Sequence, residues 1–122
     1  MKFGICYCYW SKDWEGTDYP QTIARARKCG FDVLEIFYGR LLDMAQTEVD
    51  EIKAACKEYD VELYCCGGFD KEHDLTQKDP AARAHAIEKA KEIIKAASRV
   101  GSRNFSGINY SQWCNFDNPL DK

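Results

Sequence analysis

Asp32-Val33-Leu34-Glu35-Ile36-Phe37 and Val61-Glu62-Leu63-Tyr64-Cys65-Cys66 are two short apolar runs. Each reads as a buried strand. Between them, Val49, Ile52, Cys56 and Tyr59 recur at helical spacing, so one strand leads through a helix into the next. The helix opens at Thr47, where Thr47 and Asp50 resemble a capping box with Asp in place of Glu. Strand, helix, strand in this order defines a parallel pair with a crossover. The same unit recurs on both sides. Lys2 to Cys8 reads as a first strand, and Asp18 caps a helix running from Tyr19 to Cys29, with Pro20 in its first turn and Gly30 as its stop. Asp79-Pro80 starts a third helix, which carries Ala86, Ile87, Ala90, Ile93, Ile94, Ala97 and Val100 as its apolar stripe and stops at Gly101. Arg103 to Ile108 follows as a fourth strand. The expected class is α/β, a parallel sheet covered by helices. Four such strands leave two open edges and need cover on both faces. No patterned segment after Trp113 supplies that cover. Residues 1–122 are therefore expected to form one partial domain, ending after its fourth strand.

Size and charge narrow the function. The 122 residues allow one modest core. The hydrophobic share of 45% and charged share of 30% are those of an ordinary globular domain. A net charge of −3 argues against a nucleic-acid or anionic-membrane partner. Met1-Lys2-Phe3-Gly4-Ile5 leads straight into a strand pattern without a signal peptide, so a cytoplasmic location is expected. The seven cysteines are odd in number, which suits free thiols in a reducing compartment.

The loops that follow the strands hold the unusual residues. Tyr9, Trp10 and Trp14 follow the first strand, Gly67 and Gly68 the third, Tyr110 and Trp113 the fourth. In parallel α/β folds this edge is where ligands bind. Aromatic rings there can stack on the apolar face of a sugar. They can equally pack over the sheet end and bind nothing.

Phe3-Gly4-Ile5 with Tyr9-Trp10-Ser11-Lys12-Asp13-Trp14, Gly30-Phe31-Asp32-Val33-Leu34-Glu35-Ile36, Tyr64-Cys65-Cys66-Gly67-Gly68, Asp74-Leu75 with Lys78-Asp79-Pro80 and Arg83, and Gly107 to Trp113 stand in this order along the chain. Together they resemble the N-terminal portion of the xylose-isomerase-like sugar isomerases and epimerases, of the D-tagatose/D-psicose (allulose) 3-epimerase type. The resemblance runs the full length of the chain. It implies a (β/α)8 TIM barrel, of which 122 residues are roughly half, since a whole barrel takes about 250 residues. It also implies a divalent cation, usually manganese, held by Glu, Asp, His and Glu on strands five to eight, where two glutamates move a proton beside the ketose carbonyl. None of those strands lies within this sequence, so no catalytic or metal residue carries over and no metal is expected on this chain alone. What carries over is a sugar-binding wall: Cys6, Trp14, Cys66, Ile108 and Trp113. The sequence departs from the pattern at three positions. Cys6 stands where relatives place Tyr or Phe, Ser106 replaces a glycine, and Cys114 replaces a proline. These put the identity of the sugar or sugar phosphate in doubt.

Other residues have plainer readings. Cys6, Cys8, Cys65, Cys66 and Cys114 all fall near strand ends, but no CxxC pair exists, and Cys65 and Cys66 as neighbours on a strand point to opposite faces. Cys66 is then a pocket wall and Cys65 faces the helices. Cys29 and Cys56 read as small core residues. Glu35 reads as a hydrogen-bonded polar member of the interior rather than a general base. His85 sits on a solvated helix face, and His73 lies in the loop after strand three. Three functions remain open: the N-terminal part of a metal-dependent ketose 3-epimerase, inactive alone; a non-catalytic half-barrel that binds sugar or assembles with itself or a complementary C-terminal half; and a cysteine-based metal or redox protein.

Overall fold

The computed structural model describes residues 1–11 and 18–115. Four strands, β1 (Gly4–Cys6), β2 (Val33–Phe37), β3 (Glu62–Cys66) and β4 (Phe105–Ser106), alternate with three helices, α1 (Tyr19–Lys28), α2 (Gln46–Tyr59) and α3 (Pro80–Arg99). The strands pair in parallel in the order β1-β2-β3-β4, with β1 and β4 at the edges. The expected α/β partial barrel is what forms.

Register assigns the two faces. Ile5, Leu34 and Leu63 stand level, as do Ile36, Cys65 and Phe105. Leu34, Ile36, Leu63 and Cys65 are buried against Ile23 and Ala26 of α1, Val49 and Ile52 of α2, and Ala96 and Ala97 of α3. Removing a Leu or Ile side chain from water is worth about 1.5–3 kcal/mol, so this helix-facing layer holds the domain together. Alternation turns the intervening residues the other way. Cys6, Glu35 and Tyr64 form one row on the opposite face, and Phe37, Cys66 and Ser106 the next.

The caps explain the helix limits. Asp18 accepts from the Gln21 amide at 2.9 Å, Pro20 sits in the first turn, and Gly30 turns the chain out at φ +86°. Asp79 accepts from the amides of Ala81 and Ala82, each at 3.2 Å. The α2 start differs from the expected Thr47–Asp50 box. The N-cap is Ala45, whose methyl accepts nothing; the Glu48 carboxylate accepts from the Ala45 amide at 3.2 Å instead. Asp50 takes the Gln46 side-chain amide at 2.9 Å.

Other expectations need correction. The stripe of α3 is narrower than read: Ala86, Ile93, Ala96, Ala97 and Val100 are buried, while Ile87 and Ile94 are 42% and 57% exposed. The seven-residue step between them sets both one position around the helix from Ala86 and Ile93, beyond the reach of the sheet. The first strand ends at Cys6, because Tyr7–Tyr9 wind into a single 3-10 turn that buries Tyr7. The fourth strand is two residues, because Gly107 at φ +105° takes the chain out of extended geometry. Trp10 does not join the rim: it packs edge-on against Phe31 at 6.4 Å, with the Arg25 guanidinium 4.7 Å above its ring.

Candidate functional site

The site is built on the carboxyl ends of β3 and β4. Beyond Cys66 the chain continues as Gly67-Gly68-Phe69, and the ladder continues with it. The Gly67 amide donates to Ser106 O at 3.2 Å and the Phe69 amide to Ile108 O at 2.9 Å. The Trp113 amide then donates to Phe69 O at 2.6 Å, fastening the loop after β4 onto the loop after β3. Glycine is required here by contact. A Cβ on Gly107 would lie 2.3 Å from Gly67 O, and one on Gly67 would lie 2.4 Å from the Tyr38 ring. The loop rests on an aromatic platform: Tyr38 meets Phe37 at 4.8 Å and Phe105 at 5.7 Å, and its hydroxyl donates to Gly68 O at 3.2 Å.

Above this platform lies a concavity of about 750 Å³ bounded by Phe37, Cys66, Phe69, Ile108, Gln112 and Trp113, with Asp70 at its margin. Three aromatic rings, an aliphatic side chain and a thiol make its walls apolar, and Gln112 and Asp70 supply polar groups. Apolar walls with few polar contacts suit a small, partly polar ligand. Trp113 is 60% exposed, so much of its side chain is accessible at the edge of this hollow. Of the expected wall residues, Cys66, Ile108 and Trp113 meet here. Cys6 stands behind them, its sulfur within 4.8 Å of donor atoms on Cys66 and Glu35. Trp14 lies outside the described residues, so its expected convergence with Trp113 rests on Trp113 alone.

Polar groups under the wall are paired. Glu35 accepts from the Ser106 hydroxyl at 2.6 Å, which is the interior hydrogen-bonded role expected of it. Burial raises the Cys6 thiol to about 11, with a further push from its contact with Cys8 at 3.1 Å. Burial also pushes the Cys66 thiol well up, helped by the nearby Glu35 carboxylate. Both are neutral thiols at ordinary pH and therefore poor nucleophiles. Cys65 is fully buried among the helices, as expected, and Cys56 is half-buried, but Cys29, expected in the core, is exposed at the end of α1.

The loop from Asp70 to Asp74 braces the rim. His73 is buried against Tyr38 and Phe69 and pairs with Asp70 at 2.5 Å, which makes it a structural group rather than a rim contact. Burial opposes ionisation of Asp70, yet the His73 hydrogen bond and two backbone amides hold its carboxyl below the usual range. Asp74 is buried and accepts from the Thr76 amide at 2.8 Å and its hydroxyl at 2.6 Å; these outweigh burial and lower its carboxyl too. Its other oxygen takes the Asn115 amide at 3.4 Å, tying the two loops again. His85 is exposed on α3, as expected.

Sequence reading did not find Phe37, Phe69 or Gln112 as part of the wall. Phe37 carries a signal, because it is two residues past Glu35 on the same strand and so shares its face. Gln112 carries none: it reaches the site through an isolated parallel bridge with Phe69 between two loops.

A parallel sheet backed by helices, with glycine turns and an apolar hollow at its carboxyl edge, is the architecture of a βα-barrel segment, and that edge is where such folds place their ligands. The sequence pattern of the xylose isomerase-like TIM barrel family matches residues 23–114, and the chain belongs to that family. It is 31% identical over 123 residues to D-psicose 3-epimerase of Ruminiclostridium cellulolyticum, covering 100% of this chain and 42% of the relative. It is 26% identical over 122 residues to L-ribulose 3-epimerase of Methylomonas sp., again with 42% of the relative covered. Among solved structures, D-psicose 3-epimerase with D-tagatose from Clostridium cellulolyticum H10 superposes with a TM-score of 0.88 at 30% identity, over 100% of this chain and 42% of that one. The chain thus spans about two fifths of the length of the curated relatives it matches. No helix among the described residues is long and apolar enough to cross a membrane.

Proposed function

We propose that these 122 residues form the N-terminal, sugar-binding half of a ketose 3-epimerase. The observation that carries this reading is the full-length superposition on an epimerase with D-tagatose, combined with an apolar hollow walled by Cys66, Ile108 and Trp113. In this role Trp113 stacks on the C–H face of a ketose, and Cys66 and Ile108 enclose its apolar edge. Trp14 and Cys6 complete the proposed wall. The chemistry, proton abstraction beside a carbonyl and return to the opposite face, belongs to segments that correspond to the remaining part of the relatives. The location in the cell is proposed to be the cytoplasm.

The divalent cation implied by the family does not fit the residues present. Manganese favours carboxylate and water oxygens. Among the described residues, the one grouping of three Cys, His, Asp or Glu donors close enough to share an ion is Cys6, Glu35 and Cys66, with two sulfurs and one carboxylate. No catalytic step through manganese is therefore assigned to this chain. The raised thiols also weigh against a thiolate redox centre as the main function.

Titration of the chain with D-tagatose, followed by tryptophan fluorescence, tests the wall. Saturable quenching is expected, and Trp113→Ala is expected to weaken it about two- to tenfold, because a stacking ring is worth about 0.5–1.5 kcal/mol beyond its buried area. Saturable binding unaltered by Trp113→Ala would remove Trp113 from the wall. Absence of saturation up to molar sugar would remove the wall itself.

The same reading sets the solution state. β1 and β4 are edges of the sheet, Phe3 beside β1 is 56% exposed, and Ile87 and Ile94 are open on α3. Unpaired edges and uncovered apolar side chains favour association. In the absence of a complementary half, copies of the chain are proposed to pair with each other. Sedimentation of dilute protein is expected to give a mass above the 14.0 kDa of one chain. A compact 14.0 kDa monomer with cooperative unfolding would show that the chain closes its own core.

A further inference from the structure

The inner face of the sheet carries a second feature, which shares Cys6 and Cys66 with the proposed sugar wall but does not rest on that reading. Cys6 at the end of β1, Glu35 in β2 and Cys66 at the end of β3 bring three donor atoms within 4.8 Å of one another. They come from three neighbouring strands, so the sheet itself holds their spacing. All three are half-buried, so they are sheltered yet open to an ion arriving from the inner face. Ligand atoms around a tetrahedral zinc, with bonds of about 2.0–2.3 Å, stand about 3.3–3.8 Å apart. Small side-chain rotations close the remaining gap. Two of the three already have an outer partner. The Cys8 thiol donates to the Cys6 sulfur at 3.1 Å, and the Ser106 hydroxyl donates to Glu35 Oε1 at 2.6 Å. Such outer hydrogen bonds orient metal ligands.

We propose that Cys6, Glu35 and Cys66 form a site for a borderline-soft divalent cation, zinc in particular, with one coordination position left open. Two sulfurs, which release their protons to solvent as the ion binds, and a carboxylate select zinc over magnesium, calcium or manganese, which favour oxygen donors throughout. Three protein ligands with a free fourth position are the arrangement of a reactive rather than a purely structural zinc.

Cobalt(II) titration of the reduced chain under nitrogen tests the site. A near-ultraviolet thiolate-to-cobalt band saturating at one equivalent, and bleached by one equivalent of zinc, is the expected result. Cys6→Ser or Cys66→Ser is expected to reduce the band by about half, and the double variant to abolish it. Glu35→Gln is expected to weaken binding at least tenfold while keeping the band. A band of full strength in the double variant would place the metal on other thiols, and no saturating band in the parent chain would mean no site; either overturns the proposal. A second measurement needs no variant. Zinc is expected to slow alkylation of Cys6 and Cys66, read by mass spectrometry, and to leave the exposed Cys29 and Cys114 unprotected. Equal protection of all four, or of none, would also overturn it.

Discussion

Purified protein supplied with manganese is expected to turn over none of D-fructose, D-psicose or D-tagatose above a no-protein control. Epimerisation at a carbon beside a carbonyl needs a proton removed from one face and returned to the other. That takes a group on each side of the substrate, each poised for transfer. A four-stranded sheet presents a single wall. Glu35 within the sheet already accepts from Ser106 at 2.6 Å, and Asp70 at the margin of the hollow is paired with His73. The Glu62 carboxylate on the same face lies at the other end of β3, level with Gly4, where it pairs with Lys2. His73 is held by Asp70 and packed between rings, and His85 is exposed on the outer helix. A discontinuous assay following C3 inversion by chromatography checks this. Measurable turnover would return Glu35 and both histidines to consideration and would sink the division of labour proposed above.

Gly107→Ala is expected to cost roughly 2–4 kcal/mol, a large fraction of the 5–15 kcal/mol typical of a domain. Two costs add at this position. The backbone sits at φ +105°, outside the range that L side chains favour. The new methyl carbon would also lie 2.3 Å from Gly67 O, a rigid backbone atom that cannot swing aside. Relief requires separating the ends of β3 and β4, which breaks the Gly67 amide bond to Ser106 O and opens the hollow. Gly101 is the control. It too has positive φ, at +84°, but open space where its Cβ would go. Gly101→Ala should therefore cost only about 1 kcal/mol. Urea unfolding of the two variants measures the difference. Equal losses at both sites would show that the rim relaxes around the methyl and that the close approach is not a constraint.

Most of the fold was legible because periodicity and caps are local. Leu34, Ile36, Leu63 and Cys65 alternate with Glu35, Tyr64 and Cys66, and Asp18 and Asp79 begin helices where their side chains reach the first amides. What failed was set by distant neighbours. Ile87 and Ile94 look like core on a helical wheel, but the sheet covers only the adjacent strip of α3. Trp10 looks like a rim aromatic, yet Phe31 and Arg25 hold it elsewhere. Within the site, Cys66 and Trp113 were legible as residues at strand ends. The link between Ser106 and Glu35 was not, because 71 residues separate them and only the parallel register brings β2 and β4 onto one face. The triad of Cys6, Glu35 and Cys66 was hidden for the same reason: each alone is an ordinary strand residue, and the strand order decides that they meet.

The contact between Gly67 and Gly107 also bears on how such a wall can diversify. Where two main chains touch, no side chain can be inserted, so that stretch of rim is closed to innovation. Cys6, Ser106 and Ile108 are different, for each projects from a backbone whose path does not depend on it. Variation in the shape of the hollow is accordingly expected at side chains such as Ile108 in its wall and Cys6 and Ser106 beneath it, while the glycine seam stays constant.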